Sequence, residues 1–314
     1  MVHMKKSYAI IGTGAIGGYC AVKLQQAGFD VHCLLRSDYS FVHENGLSII
    51  EDNEVISIPV KAYQDIHSMP SCDVILITLK TTENWILKNL LNNLLHADSI
   101  VAVLQNGIGI EEELAEFIEP KKIIGGSSHL KVTKISPGTI KHFNFNTLEW
   151  AQYYSDDQHH EISASAEAIA HDFKIAGFDS MAFEHLPTIK WKKVASNIAS
   201  SGLSVVLDAS LDELVENLSS FELLKSLTKE VITAAKTCGA NIPNNFYDFR
   251  LSVFESFRNM KKCYSSMKDD FNAKKPIEIH AIYENAINIA KKHNVSMPLS
   301  EMLYLQLLYL DIKK

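Results

Sequence analysis

Nowhere in the 314 residues does an uninterrupted apolar run approach the roughly 20 residues that a membrane-spanning helix needs. The opening MVHMKKSYAII enters a strand-like segment at once, which predicts no signal peptide, and Met4 is an alternative start that would leave Met1 to His3 as an extension. Cysteine is sparse. The five residues (Cys20, Cys33, Cys72, Cys238, Cys263) are odd in number and form no Cys-x-x-Cys pair, so they read as reduced, mostly buried thiols of a cytoplasmic protein. The 13 histidines include His159-His160 but no His-Glu-x-x-His, so no metal is expected. No Gly-x-Ser-x-Gly appears, which argues against a serine nucleophile on an elbow turn. Repeats, low-complexity tracts and long Gly/Ser linkers are also missing. A formal net charge of -7 argues against a nucleic-acid surface as the main business, yet leaves room for a local basic pocket around a small anion.

What is present points to two domains joined closely around a cleft, at 1–184 and 185–314. Unbroken apolar strands are expected at 8–11, 30–35, 73–80, 99–107 and 122–130, with a helix at 14–27 and a two-strand hairpin within 46–60 around a polar turn at 51–54. A further β-rich stretch turns at Pro137-Gly138. Buried strands alternating with helices predict an α/β fold with a parallel, doubly wound sheet. From about Glu184 strand-like runs nearly vanish. Helices are expected at 188–201, 212–217, 221–238, 244–259, 277–293 and 301–310, making the second domain helical. The apolar run MLYLQLLYL at 302–310 is either core or a dimer face, so a monomer and a homodimer are both open.

The most informative stretch is YAIIGTGAIGG. It follows a strand and opens a helix. Gly12 permits a tight turn, Gly14 lets a pyrophosphate approach the backbone, and Gly17 lets helix and strand pack closely. With Ala15 and Ile16 these residues form the candidate phosphate loop, at a helix N-terminus whose free N–H groups favour anions. The alternative is a tight βα turn without a ligand. A unit that binds NAD usually ends its second strand in an acid that holds the ribose 2′-hydroxyl. This chain has Arg36-Ser37 there. A guanidinium fork suits a 2′-phosphate and favours NADP, although Asp38 is a displaced acid that could still serve NAD.

Ligands of doubly wound sheets gather beyond the carboxyl ends of strands. Lys80 and Gln105-Asn106-Gly107 fall there, although Lys80 also reads as a surface lysine and Asn106-Gly107 as a plain turn. In the helix expected at 188–201, Trp191, Val194, Ala195 and Ile198 form an apolar stripe. Lys190, Lys193, Asn197 and Ser201 form a polar one, either solvated or lining the cleft, where a half-desolvated lysine would give a proton near neutral pH. Ser266, Asp270 and Glu278 read equally as caps and first-turn acids at a helix start.

Taken in order, these motifs resemble the ketopantoate reductase family, over nearly the whole chain. They are the glycine motif with Arg36, then Lys80, Gln105-Asn106-Gly107, Trp191-x-Lys193-x-x-x-Asn197, Ser266-Met267-x-x-Asp270, and Glu278-Ile279. The resemblance implies an N-terminal Rossmann domain carrying NADPH and an all-helical C-terminal domain closing over a 2-keto acid. It implies Lys193 as proton donor to the ketone oxygen, Glu278 orienting Lys193 or its water, and Asn106, Asn197 and Ser266 binding the substrate, with Ser201 near them. Arg36, Lys80 and Asn106 join the glycine loop on the cofactor side. The implied activity is reduction of 2-dehydropantoate to D-pantoate for pantothenate and coenzyme A synthesis. Three departures bear on the substrate. Ser201 stands where many members have a second Asn, His280 where an Asp is usual, and TIKHFNFNTLEW where a Gly-rich segment is expected. Relatives with such changes resemble D-2-hydroxyacid dehydrogenases of other branched or aromatic 2-keto acids. A dinucleotide-binding sensor without catalysis is the third reading.

Overall fold

The computed structural model describes residues 6–156 and 160–313; Met1 to His3 and His159 lie outside them. The chain divides into two compact units. The first comprises Met1–Gln105 and Glu111–Leu186, the second Asn106–Ile110 and Pro187–Lys314.

In chain order the first unit forms β1 (Ser7–Ile11), α1 (Ala15–Gln26), β2 (Asp30–Leu34), α2 (Tyr39–Asn45), β3 (Leu47–Glu51), β4 (Glu54–Ile58), β5 (Lys61–Tyr63), β6 (Val74–Ile77), α3 (Leu87–Leu94) and β7 (Ile100–Val103). It continues through α4 (Ile110–Ala115), β8 (Ile123–Ser136), β9 (Thr139–Gln152), α5 (Ala164–Ile175) and β10 (Asp179–Phe183). The ten-stranded sheet runs β4-β3-β9-β8-β7-β6-β1-β2-β5, with β10 paired to β9. From β5 to β8 the strands are parallel, as their apolar runs predict, and Tyr8, Ile10, Val74, Leu76 and Ala102 are wholly buried. The chain leaves β1 toward β2 on one side and returns to β6 on the other, so the switch point of the sheet lies between β1 and β6.

The sheet is not parallel throughout. β8 and β9 form a long antiparallel hairpin, and β3–β4 is a second, turning at Asp52-Asn53 with both residues at positive φ (47° and 68°). Strands also stop earlier than the apolar runs suggest. β6 ends at Ile77 and β7 at Val103, so Lys80 and Gln105 lie on the following loops. Both runs continue past the last ladder residue because the loops themselves are half-buried or buried.

The long hairpin is pinned to the end of β2. The buried Asp38 carboxylate accepts from Lys134 Nζ (2.6 Å) and from the Gly138 amide (3.1 Å). Burial opposes its ionisation, but these bonds and that from Ser37 outweigh it and hold its pKa below the ordinary value.

The second unit is helical: α6 (Leu186–Val206), α7 (Leu211–Glu216), α8 (Leu218–Thr237), α9 (Phe246–Ser256), α10 (Ser266–Asn272), α11 (Asn285–Lys292) and α12 (Pro298–Lys313). A π turn, His280–Glu284, leads into α11. The predicted stripe Trp191, Val194, Ala195 and Ile198 is buried in this unit's core, together with Ile108. Val194 and Ile198 each contribute roughly 1.5–3 kcal/mol on burial. α12 splits the 302–310 run, burying Leu303 and Leu307 while Met302, Leu305 and Tyr309 stay exposed. Tyr283, fully buried in the π turn, donates its hydroxyl to Ile198 O (3.1 Å) on α6. Gly202 permits this approach, since a Cβ there would run into the same hydroxyl.

Two outcomes are expected. Gly202→Ala should cost about 1–3 kcal/mol by forcing α6 off the π turn, read by urea denaturation. A neutral result would mean the tyrosine can swing away freely. Asp38→Asn should cost about 1–2 kcal/mol at pH 7. Because the native pKa is depressed, that contribution exists above the unfolded value of about 4 and disappears as pH falls through the native one. The gap to wild type should therefore narrow between pH 7 and pH 3; a gap constant with pH would show the clamp is not ionic.

Candidate active site

The loop after β1 is shaped by its neighbours. Gly12 has φ of 100°, and a Cβ on it would collide with the Leu79 backbone. Thr78 Oγ1 donates to Gly12 O (2.8 Å), which ties the β1 loop to the β6 loop across the switch point. A Cβ on Gly17 would strike that same threonine and Gly12 O, so Gly17 brings α1 against the strand ends. Gly14 differs. A Cβ there would find nothing nearer than Gly12 O at 3.9 Å. Its missing side chain therefore serves no packing within the protein and leaves the N-terminus of α1 open. The first turn, which begins at Ala15 and Ile16, carries no acidic residue. Open space, orphan N–H groups and no competing carboxylate fit a pyrophosphate.

Arg36 lies two residues past β2, with its side chain 88% exposed and its guanidinium 3.5 Å from Glu83. Asp38, the displaced acid two residues on, is buried and committed to Lys134 and Gly138. Lys80 is half-buried and precedes the 3-10 turn Thr81–Ile86. Gln105, expected to face a ligand, uses its amide as a clamp: Nε2 donates to Leu79 O and to Asn84 Oδ1, both at 2.7 Å. It thus fixes the segment that carries Lys80 and Glu83.

The second unit gathers the other candidates. Asn106 Nδ2 donates to Glu278 Oε2 (3.3 Å), and Glu278 is only 5% exposed. The segment after Asn106 is held by the π turn. The Ile108 amide donates to Ala281 O (2.9 Å), and Asn285 Nδ2 donates to Ile108 O (2.8 Å). π turns recur where a helix is opened for function, and here the opening receives the loop that carries Asn106. On α6, Lys193 and Asn197 are half-buried and Ser201 is buried. Tyr283 fixes this face relative to the π turn. Lys190 does not belong to a solvated stripe: it is 2% exposed.

The Ser266 region differs from expectation. Ser266 is exposed and opens α10, a short helix separate from the one after Glu278. The cap is Ser265, whose hydroxyl accepts from Lys268 N at 3.2 Å. Glu278 itself precedes the helix, which begins one residue later with Ile279. Thr78, Asn84 and Tyr283 were not singled out from sequence.

Family models match most of the chain. Residues 8–154 match "Ketopantoate reductase PanE/ApbA", and residues 186–308 match its C-terminal counterpart. A 2-dehydropantoate 2-reductase of Nostoc sp. is 40% identical over 308 residues, covering 98% of this chain and 96% of that one. Among solved structures, the 2-dehydropantoate 2-reductase of Geobacter metallireducens superposes with a TM-score of 0.90 at 30% identity, covering 96% of this chain and 99% of that one. A D-mandelate dehydrogenase with NADH and anilino(oxo)acetate shares the fold, with a TM-score of 0.86 at 19% identity, covering 98% of both chains. With a glycine cradle fitted to a dinucleotide and both family models matched in order, the chain belongs to the ketopantoate reductase family of oxidoreductases.

Proposed function

We propose that the protein is an NADPH-dependent 2-dehydropantoate 2-reductase, producing D-pantoate for pantothenate and coenzyme A synthesis in the cytoplasm. The observation that carries this reading is the bond between Asn106 and Glu278, which joins two motifs 172 residues apart on the unit that holds Lys193 and Asn197. The nicotinamide cofactor, when bound, supplies a hydride for the C2 carbonyl. Gly12, Gly14, Ala15, Ile16 and Gly17 receive its pyrophosphate, Arg36 its 2′-phosphate, and Lys80 and Asn106 its remaining polar groups. Lys193 gives a proton from Nζ to the ketone oxygen and stabilises the negative charge developing there. Glu278, buried and fixed by Asn106, orients that ammonium or its water. Asn106, Asn197, Ser201 and Ser266 hold the substrate's polar groups. The preference for NADPH is supported by an exposed guanidinium at Arg36 and by the commitment of Asp38 elsewhere.

A second reading keeps this chemistry with another branched or aromatic 2-keto acid. It is favoured by Ser201, whose hydroxyl reaches less far than the amide found in many members and donates one hydrogen bond rather than two. A panel of 2-keto acids assayed by NADPH oxidation separates the two: the highest kcat/KM belongs to ketopantoate on the first reading and to a different acid on the second.

Two variants test the residue roles. Lys193→Ala should lower kcat by about 10²–10⁴-fold with NADPH affinity nearly intact; undiminished turnover would remove Lys193 from the mechanism. Arg36→Asp should move the NADPH-to-NADH ratio of kcat/KM toward NADH by about tenfold or more. An unchanged ratio would make Arg36 a plain surface residue.

A further inference from the structure

Arg250 is a buried cation with no counter-charge among the described residues. It lies on α9 between Phe249 and Phe254, whose ring centres are 5.6 and 5.7 Å from its guanidinium carbon. The residue is 7% exposed. Among the described residues its Nη1 donates to Ser196 Oγ on α6 (2.7 Å), and its buried Nε has no partner. No carboxylate among the described residues pairs with it. Desolvation alone lowers its pKa, to about 10, so it stays charged near neutral pH.

Such a group is costly. A charge withdrawn from water needs a partner, and a neutral serine hydroxyl with two aromatic faces replaces little of the lost hydration. An apolar side chain would fill the same place at lower cost, so the guanidinium points to a counter-ion that arrives with a ligand. Its position says which ligand. Ser196 is three residues from Lys193 and adjacent to Asn197, so on a helix turning about 100° per residue it borders the face those two present. Ser200 Oγ bonds back to Ser196 O at 2.8 Å, which occupies the next hydroxyl along the helix. The guanidinium therefore sits beside the polar face of α6, one helical step from the lysine proposed to meet the ketone oxygen.

We infer that Arg250 anchors the carboxylate of the 2-keto acid, with the fork of the guanidinium taking the anion while Ser196 holds its orientation. The inference rests on the keto acid reading above and adds to it the group that recognises the acid. A 2-keto acid of this kind carries one anionic group, and its carboxylate is bonded to the carbon that is reduced. A buried fork at that distance along the helix selects the acid against its neutral ester or amide.

The test is calorimetric titration of the full chain, saturated with NADP, with D-pantoate and with the primary amide of pantoate. Keto acid kinetics are measured beside it. Wild type should bind the acid about 10- to 100-fold more tightly than the amide. Arg250→Met should erase that preference and raise KM for the keto acid more than it lowers kcat, while Arg250→Lys should retain part of it. An acid preference that survives in Arg250→Met, or is missing in wild type, overturns the inference. If Arg250→Met unfolds, Arg250→Lys and Ser196→Ala, which removes the orienting hydroxyl, decide it by the same ratio. Failure of the keto acid reading looks different: wild type turns over no keto acid, yet the acid-to-amide ratio still reports whether Arg250 binds a carboxylate.

Discussion

The hydrogen bond from the Ile108 amide to Ala281 O (2.9 Å) seats the segment after β7 on the π turn of the second unit. It needs a carbonyl in the opening turn of a helix and a loop able to approach it. The π turn His280–Glu284 provides the first, since Asn285 N–H reaches back five residues to His280 O and the backbone there is widened. The segment Asn106–Ile110, which follows the loop after β7, provides the second. Once Ile108 is seated, Asn106 lies within 3.3 Å of Glu278 and Asn285 closes on Ile108 O. Tyr283 in the same turn then carries the register across to α6 through Ile198 O. Two polar motifs distant in sequence, and the helix with Lys193 and Asn197, are thereby positioned through one backbone irregularity. Strain or widening of this sort is tolerated only where surrounding packing fixes it, and Tyr283, Ala281 and Ile282 are all buried.

How much of this could be read from the chain follows from the range of each interaction. The glycine loop was legible because its determinants lie within seven residues and their geometry is local. The apolar stripe of α6 was legible because helical periodicity sorts Trp191, Val194, Ala195 and Ile198 onto one face whatever they pack against. The mixed character of the sheet was legible only in part: the turns at Pro137-Gly138 and within 46–60 are local signals of hairpins, but the pairing of β3 with β9 is set by contacts far apart in sequence, and alternation of strands and helices says nothing about it. The early ends of β6 and β7 were hidden for a different reason. Thr78 and Leu79 prolong the run past the last ladder residue, and Thr78 spends both its amide, on Ile11 O, and its hydroxyl, on Gly12 O, in tying the loop to β1.

Individual polar residues were harder still, because one side chain has several uses and only its neighbours choose among them. Asp38 could have served a ribose; the folding of β8 beside it brought Lys134 and removed that option. Gln105 sat at a ligand-facing strand end, and its amide went to Leu79 and Asn84. Ser265 and Ser266 are identical in kind and adjacent, yet only the first caps α10. A seven-residue helix has too few turns to announce its period, so nothing in the sequence said which serine came first.

The electrostatics close the argument. A chain of net charge -7 that is proposed to bind an anionic cofactor and an anionic acid cannot rely on a global field, which repels both. Positive potential has to be local, and the molecule produces it in three physically distinct ways. The N-terminus of α1 offers backbone dipoles with no acid in the first turn, a fixed partial charge with no side chain to reorganise. Arg36 offers an exposed fork whose attraction is screened by salt and suits a peripheral phosphate. Arg250 offers a desolvated fork in an aromatic setting, where screening is weak and an unmatched ligand is penalised. On the proposed reading the sources are graded by burial. The most exposed meets the part of the cofactor farthest from the chemistry, and the most buried meets the group next to the carbon that is reduced.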